Sequence, residues 1–82
     1  MDARSQEALA EFARLVRQRF PSARIWAFGS RVRGTNTEAS DLDVCVVVDT
    51  LDDTVDQAIG ELAWQVGFER GLVISTDRKS VV

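Results

Sequence analysis

The chain has 82 residues, a formal net charge of −3, 45% hydrophobic and 28% charged residues, and a pI near 4.8. These totals describe one globular domain, residues 1–82, and weigh against a disordered tail or a surface that coats nucleic acid or anionic membrane through bulk charge. With one cysteine and no histidine, an internal disulfide, a cysteine-based zinc cluster and the commonest general base are all excluded. Any chemistry must rest on carboxylates, hydroxyls, arginines or a hard cation.

No apolar run reaches the roughly 20 residues that span a bilayer, and the polar amino terminus is unlike a signal peptide, so the expected location is cytoplasmic, with no membrane partner. From Asp2 to Arg19, Leu9, Phe12, Ala13, Val16 and Phe20 recur three or four apart, the stripe of an amphipathic helix. Phe20-Pro21-Ser22 punctuates the chain. Arg24 to Phe28 reads as a strand ending at Gly29, and Gly29-Ser30 as a sharp strand-to-helix turn. Arg31 to Gly34 fits a short helix or turn, and Thr35 to Ser40 is loop by composition.

Leu42 to Val48 reads as a second strand. Leu42, Val44, Val46 and Val48 share one face while Cys45 and Val47 lie on the other, and two apolar faces predict cover on both sides. Asp49 to Asp53 supplies helix caps, and Val55, Ile59, Leu62, Ala63 and Val66 trace a second long helix that ends at Gly71. Leu72 to Thr76 reads as a third strand. The expected class is α/β (α+β): a small mixed sheet of about three strands with helices packed on it as a two-layer sandwich.

The chemistry-bearing stretch is AFGSRVRGTNTEASDLDVCVVV, from Ala27 to Val48. Asp41 and Asp43 are two apart, so in extended chain they project from one face with Cα atoms roughly 6.6 Å apart. Two ionised carboxylates sharing a partly buried site repel unless one takes a proton or a cation sits between them. All-oxygen ligation suits Mg²⁺ or Mn²⁺. A plainer alternative stays open: Asp41 caps a turn and Asp43 is a solvated residue at a strand start. Gly29-Ser30 is a candidate anion site in which backbone N–H groups and the Ser30 hydroxyl meet a phosphate, with Arg31 and Arg33 placed to pair with its oxygens. Alone the dipeptide is a weak signal; its adjacency to the carboxylate pair strengthens both.

Gly29-Ser30 followed by RVRG, a loop and SDLDVCVVV resembles the signature of the DNA polymerase beta-like nucleotidyltransferase superfamily, especially its minimal nucleotidyltransferase branch. The resemblance covers Ile25 to Val48. It implies that Gly29 and Ser30, beside which Arg33 is the cofactor-binding candidate by position, hold the triphosphate of ATP or another NTP, that Asp41 and Asp43 bind Mg²⁺, and that a nucleoside monophosphate passes to a hydroxyl acceptor with release of pyrophosphate. Two ions about 3.5–4 Å apart would stabilise the attacking and leaving oxygens of such an in-line displacement. The family draws a third carboxylate from the strand after the long helix. GLVIST contains none, so Asp77, on the side of Ser75 if the strand continues, is the candidate, against the reading of a turn aspartate beside Arg78 and Lys79. The resemblance also implies a helical HEPN-type partner, toxin to this chain's antitoxin, with a tyrosine as acceptor. A catalytically weak, antitoxin-like binding module is the alternative, and nucleic acid is expected at most as an acceptor.

Trp26, inside an apolar strand, is expected in the core or an interface, and Trp64, off its helix stripe, at a protein interface. Cys45 reads as a small buried hydrophobe. Asp49, Asp52, Asp53 and Asp56 read as complement to a helix dipole and not as a second metal site.

Overall fold

The computed structural model describes residues 1–81. The elements run α1 (Ala3–Arg19), β1 (Arg24–Phe28), α2 (Ser30–Arg33), β2 (Leu42–Val48), α3 (Asp53–Arg70) and β3 (Ile74–Ser80). They form a three-stranded mixed sheet in the order β1-β2-β3, with β2 antiparallel to β1 and parallel to β3. This is the α+β two-layer arrangement expected from the sequence. Among the described residues no helix is long and apolar enough to cross a membrane.

Both long helices begin at side-chain caps. Asp2 accepts from the Ser5 amide at 2.7 Å and Asp52 from the Val55 amide at 2.8 Å, each satisfying an amide that has no partner within its helix. Asp2 is held below the ordinary carboxylate range, first by its hydrogen bonds from Ser5, then by the nearby Arg31 and Arg4 guanidiniums. At the far end of α3, Gly71 takes φ +71°, a left-handed turn that glycine enters without a Cβ penalty. The Leu72 amide closes that turn on the Gly67 carbonyl at 3.0 Å.

That bond moves the third strand. Leu72 is spent on the helix end, so β3 starts at Ile74 and runs to Ser80 instead of spanning Leu72 to Thr76. Its polar second half is strand because β2 supplies the ladder, pairing Val44 with Thr76 through Val48 with Ser80. Tertiary pairing overrides the weak β propensity of Asp77-Arg78-Lys79.

The core lies between one sheet face and the two long helices. Phe12 and Val16 of α1 and Ile59, Ala63 and Val66 of α3 meet Leu42, Val44, Val46, Val48 and Ile74. Among the described residues no helix covers the opposite face, which corrects the expectation of cover on both sides. Arg24, Trp26 and Phe28 alternate on that open face with Ile25 and Ala27 turned inward. Trp26 is 47% exposed, which removes the core half of the expectation of a core or interface position. Cys45 is buried on the open side, between Trp26 and Asp77 in register. An apolar outer row therefore arises from lateral neighbours without a covering layer.

Candidate active site

The site forms where β1 ends beside the start of β2. Phe28 is in register with Asp43, and the chain turns at Gly29 into the four-residue α2. Gly29 has φ +84° and ψ −159°, a region essentially closed to other residues. A Cβ on it would collide with Oδ2 of Asp43 and lie 3.2 Å from its Cγ. The glycine thus does two things: it takes the turn, and it leaves the space that the Asp43 carboxylate fills.

Asp41, Leu42 and Asp43 are exposed, buried and half-buried in turn, so both carboxylates stand on the solvent side of a Leu42 that anchors the core. Among the described residues neither carboxylate has a hydrogen-bond or ion-pair partner, and the same holds for the Ser30 hydroxyl and the exposed Arg33 guanidinium. Two acidic side chains with every lone pair open supply oxygen donors of the kind a hard divalent cation takes. Among the described residues no three His, Cys, Asp or Glu side chains gather closely enough to hold a metal ion unaided. A cation on Asp41 and Asp43 would therefore take its remaining ligands from water and phosphate, as Mg²⁺ commonly does.

Asp77 lies within β3, in register with Cys45, while Ser75 is in register with Asp43. Ser75, Asp77 and Lys79 are exposed and alternate with half-buried Thr76 and Arg78. Asp77 thus shares the open face with Asp43, one pleat repeat along and one strand over, about 8 Å between Cα atoms by ordinary strand spacing. It is not the turn residue that its polar neighbours suggested. Lys79 Nζ lies 3.6 Å from its Oδ2.

Arg31 is absent from any phosphate subsite. It is the largest fully buried side chain, 1% exposed. Nε donates to the Ser40 carbonyl at 2.9 Å, Nη2 to the Glu38 carbonyl at 3.2 Å and Nη1 to Ser5 Oγ at 3.0 Å. Nη1 also lies 3.5 Å from Asp2 Oδ2. One guanidinium ties α1 to the loop that delivers Asp41, a positioning role that sequence reasoning missed. The available signal was Ser5, a polar residue one helical turn before Ala8 on the α1 face that the structure buries.

The acids at the start of α3 sit where a helix dipole favours them. Asp52 caps α3, Asp53 and Asp56 lie in its first turn, Asp56 pairs with Arg78 at 3.0 Å, and Asp49 accepts from Ser22 at 2.7 Å. A concavity of about 710 Å³, lined by neither Asp41 nor Asp43, lies between α3 and the outer edge of β3. Trp64 lines it, 70% exposed and stacked on Phe68 with ring centroids 5.3 Å apart.

Comparison with known proteins decides the family. A model of the nucleotidyltransferase domain matches residues 9–77. The chain belongs to that family. This nucleotidyltransferase domain is also 33% identical, over 89 aligned positions, to a probable protein adenylyltransferase, MntA, of Haemophilus influenzae, covering 100% of the chain and 77% of the relative. The two matches together place it in the polymerase beta-like superfamily, of the minimal type. No solved structure matches it. Its activity class is nucleotidyl transfer.

Proposed function

We propose that this nucleotidyltransferase domain moves AMP from ATP to a hydroxyl acceptor, a tyrosine of a HEPN-type helical partner, and so acts as an antitoxin subunit. The observation that carries the reading is the Asp43 carboxylate seated in the space left by Gly29, which brings the acidic pair and the turn into one site. The MntA relative, named a probable protein adenylyltransferase, supports AMP transfer to protein.

Gly29 lets the triphosphate approach the backbone, Ser30 Oγ donates to a phosphate oxygen, and Arg33 pairs with the β- and γ-phosphates. Mg²⁺ or Mn²⁺ held by Asp41 and Asp43 would neutralise phosphate charge. The acceptor oxygen bonds to the α-phosphorus, and the bond from that phosphorus to the oxygen bridging the α- and β-phosphates breaks. Pyrophosphate leaves with the electron pair, and the hydroxyl proton passes to the Asp77 carboxylate. Positioning and charge neutralisation do most of the work.

Radiolabelled ATP, Mg²⁺ and a HEPN-type helical protein that bears an exposed tyrosine test the proposal: label appears on that tyrosine and disappears with Asp41→Asn. Transfer that survives that substitution refutes the assigned role. The exposed Trp64–Phe68 stack favours a second reading, a catalytically weak binding module that neutralises the HEPN-type partner by covering it. Full neutralisation by the Asp41→Asn/Asp43→Asn protein would select it.

A further inference from the structure

We infer that Trp26 seats the acceptor, holding the ring that bears the reacting hydroxyl against its indole face. The inference rests on the transfer reaction above and deepens it.

The order of residues on the open face carries it. Gly29 and Ser30 lie at the end of β1; Phe28, Asp43 and Ser75 form the next cross-strand row; Trp26, Cys45 and Asp77 form the row beyond. In-line displacement brings the attacking oxygen to the α-phosphorus from the side opposite the departing pyrophosphate. With the pyrophosphate end at Gly29-Ser30 and the α-phosphate over the Asp43 row, attack comes from the Trp26–Cys45–Asp77 row.

That row is shaped for the purpose. Cys45, 5% exposed, is its floor, and Trp26, 47% exposed, and Asp77 stand at its two ends. Two strand spacings, about 9.6 Å, separate the outer Cα atoms, room for a flat group between indole and carboxylate. Trp26 is 47% exposed and has no aromatic partner among the described residues, where the one stack joins Trp64 to Phe68. A ring stacked on that indole directs its hydroxyl toward Asp77, the group that takes the proton. The tyrosine acceptor proposed above fits this row, its phenol ring on the indole and its hydroxyl at the carboxylate.

Kinetics with a short tyrosine peptide as acceptor test this. Trp26→Ala raises KM for the peptide about tenfold with KM for ATP within twofold of wild type, and Trp26→Phe restores most of the loss. A second readout needs no turnover. In Trp64→Phe protein Trp26 is the sole indole, and the tyrosine peptide shields it from acrylamide quenching whereas ATP alone does not. Shielding by ATP alone, an unchanged peptide KM in active Trp26→Ala protein, or preferred transfer to an oligonucleotide hydroxyl overturns the inference. Wild-type protein that transfers AMP to no hydroxyl overturns the transferase reading itself, and with it this one.

Discussion

Replacing Arg31 with methionine keeps the buried stem and removes the guanidinium, which isolates its polar role. The carbonyls of Glu38 and Ser40 belong to an exposed and a half-buried residue, so water replaces the lost donors and each costs about 0.5–1.5 kcal/mol. Ser5 is fully buried, and its hydroxyl oxygen loses the bond from Arg31 Nη1, a further loss of about 0.5–1.5 kcal/mol. The ion pair to Asp2 adds little, because that carboxylate is half exposed and screened. The expected loss is about 3 kcal/mol, against the roughly 4–12 kcal/mol that a domain of this length commands, and a fall in Tm of about 12–24 °C. Urea unfolding followed by circular dichroism reads it as a lower midpoint at unchanged slope. Ser5→Ala combined with Arg31→Met loses their shared hydrogen bond only once, so the double variant should be about 1 kcal/mol more stable than the two single losses predict. A loss below about 1 kcal/mol for Arg31→Met, or strictly additive singles, would show that the guanidinium is not the tie between α1 and the Asp41 loop.

Three further outcomes follow from the same geometry. Asp41→Asn or Asp43→Asn should lower kcat for AMP transfer at least about 100-fold, several kcal/mol of charge stabilisation at 1.36 kcal/mol per decade, while the urea midpoint stays level or rises because a repelling charge is gone; a large stability loss instead would mark the pair as structural. Gly29→Ala should cost about 1–3 kcal/mol for its backbone conformation alone, and adding Asp43→Ala should relieve the collision but not the dihedral, measurable as partial recovery of the midpoint. Asp2 is depressed in the folded state by its Ser5 hydrogen bonds and Arg31, so the unfolded chain takes up its proton first as pH falls. Its stabilising contribution is present above the ordinary carboxylate pKa, about 4, and is lost as pH drops through the lower folded value. Asp2→Asn should narrow its gap from wild type on acidification; a gap constant from pH 7 to pH 2 would contradict the assignment.

Most of the fold was readable because period and punctuation agree with tertiary demand. Asp52 and Gly71 bound α3 as caps wherever it packs, and the Gly29-Ser30 bend needs φ above zero for local reasons. The acidic pair was readable too, since alternation about a buried Leu42 follows from extended chain alone. What failed were features that depend on neighbours several strands or helices away. Nothing in Leu42–Val48 distinguishes a face covered by a helix from one closed sideways by Trp26 and Asp77, because burial of Cys45 looks the same from either cause. Nothing local makes Asp77-Arg78-Lys79 a strand either; β2 does that.

Arg31 and Arg33 make the point most sharply. They are two apart in one short turn, equally basic, and equally suited on paper to a phosphate. One is 1% exposed and bonded both to α1 and to the loop before β2, and the other stands in solvent. What separates them is the helix phase of α2 against the Ser5 face of α1, set only when the two elements meet. A buried guanidinium with its donors satisfied has nothing left for a nucleotide, whereas an exposed one keeps its whole fork free. The division of labour between loop anchoring and phosphate pairing is therefore decided by packing, and exchanging which of the two positions carries methionine should exchange the phenotype: lost stability at 31, weakened ATP binding at 33.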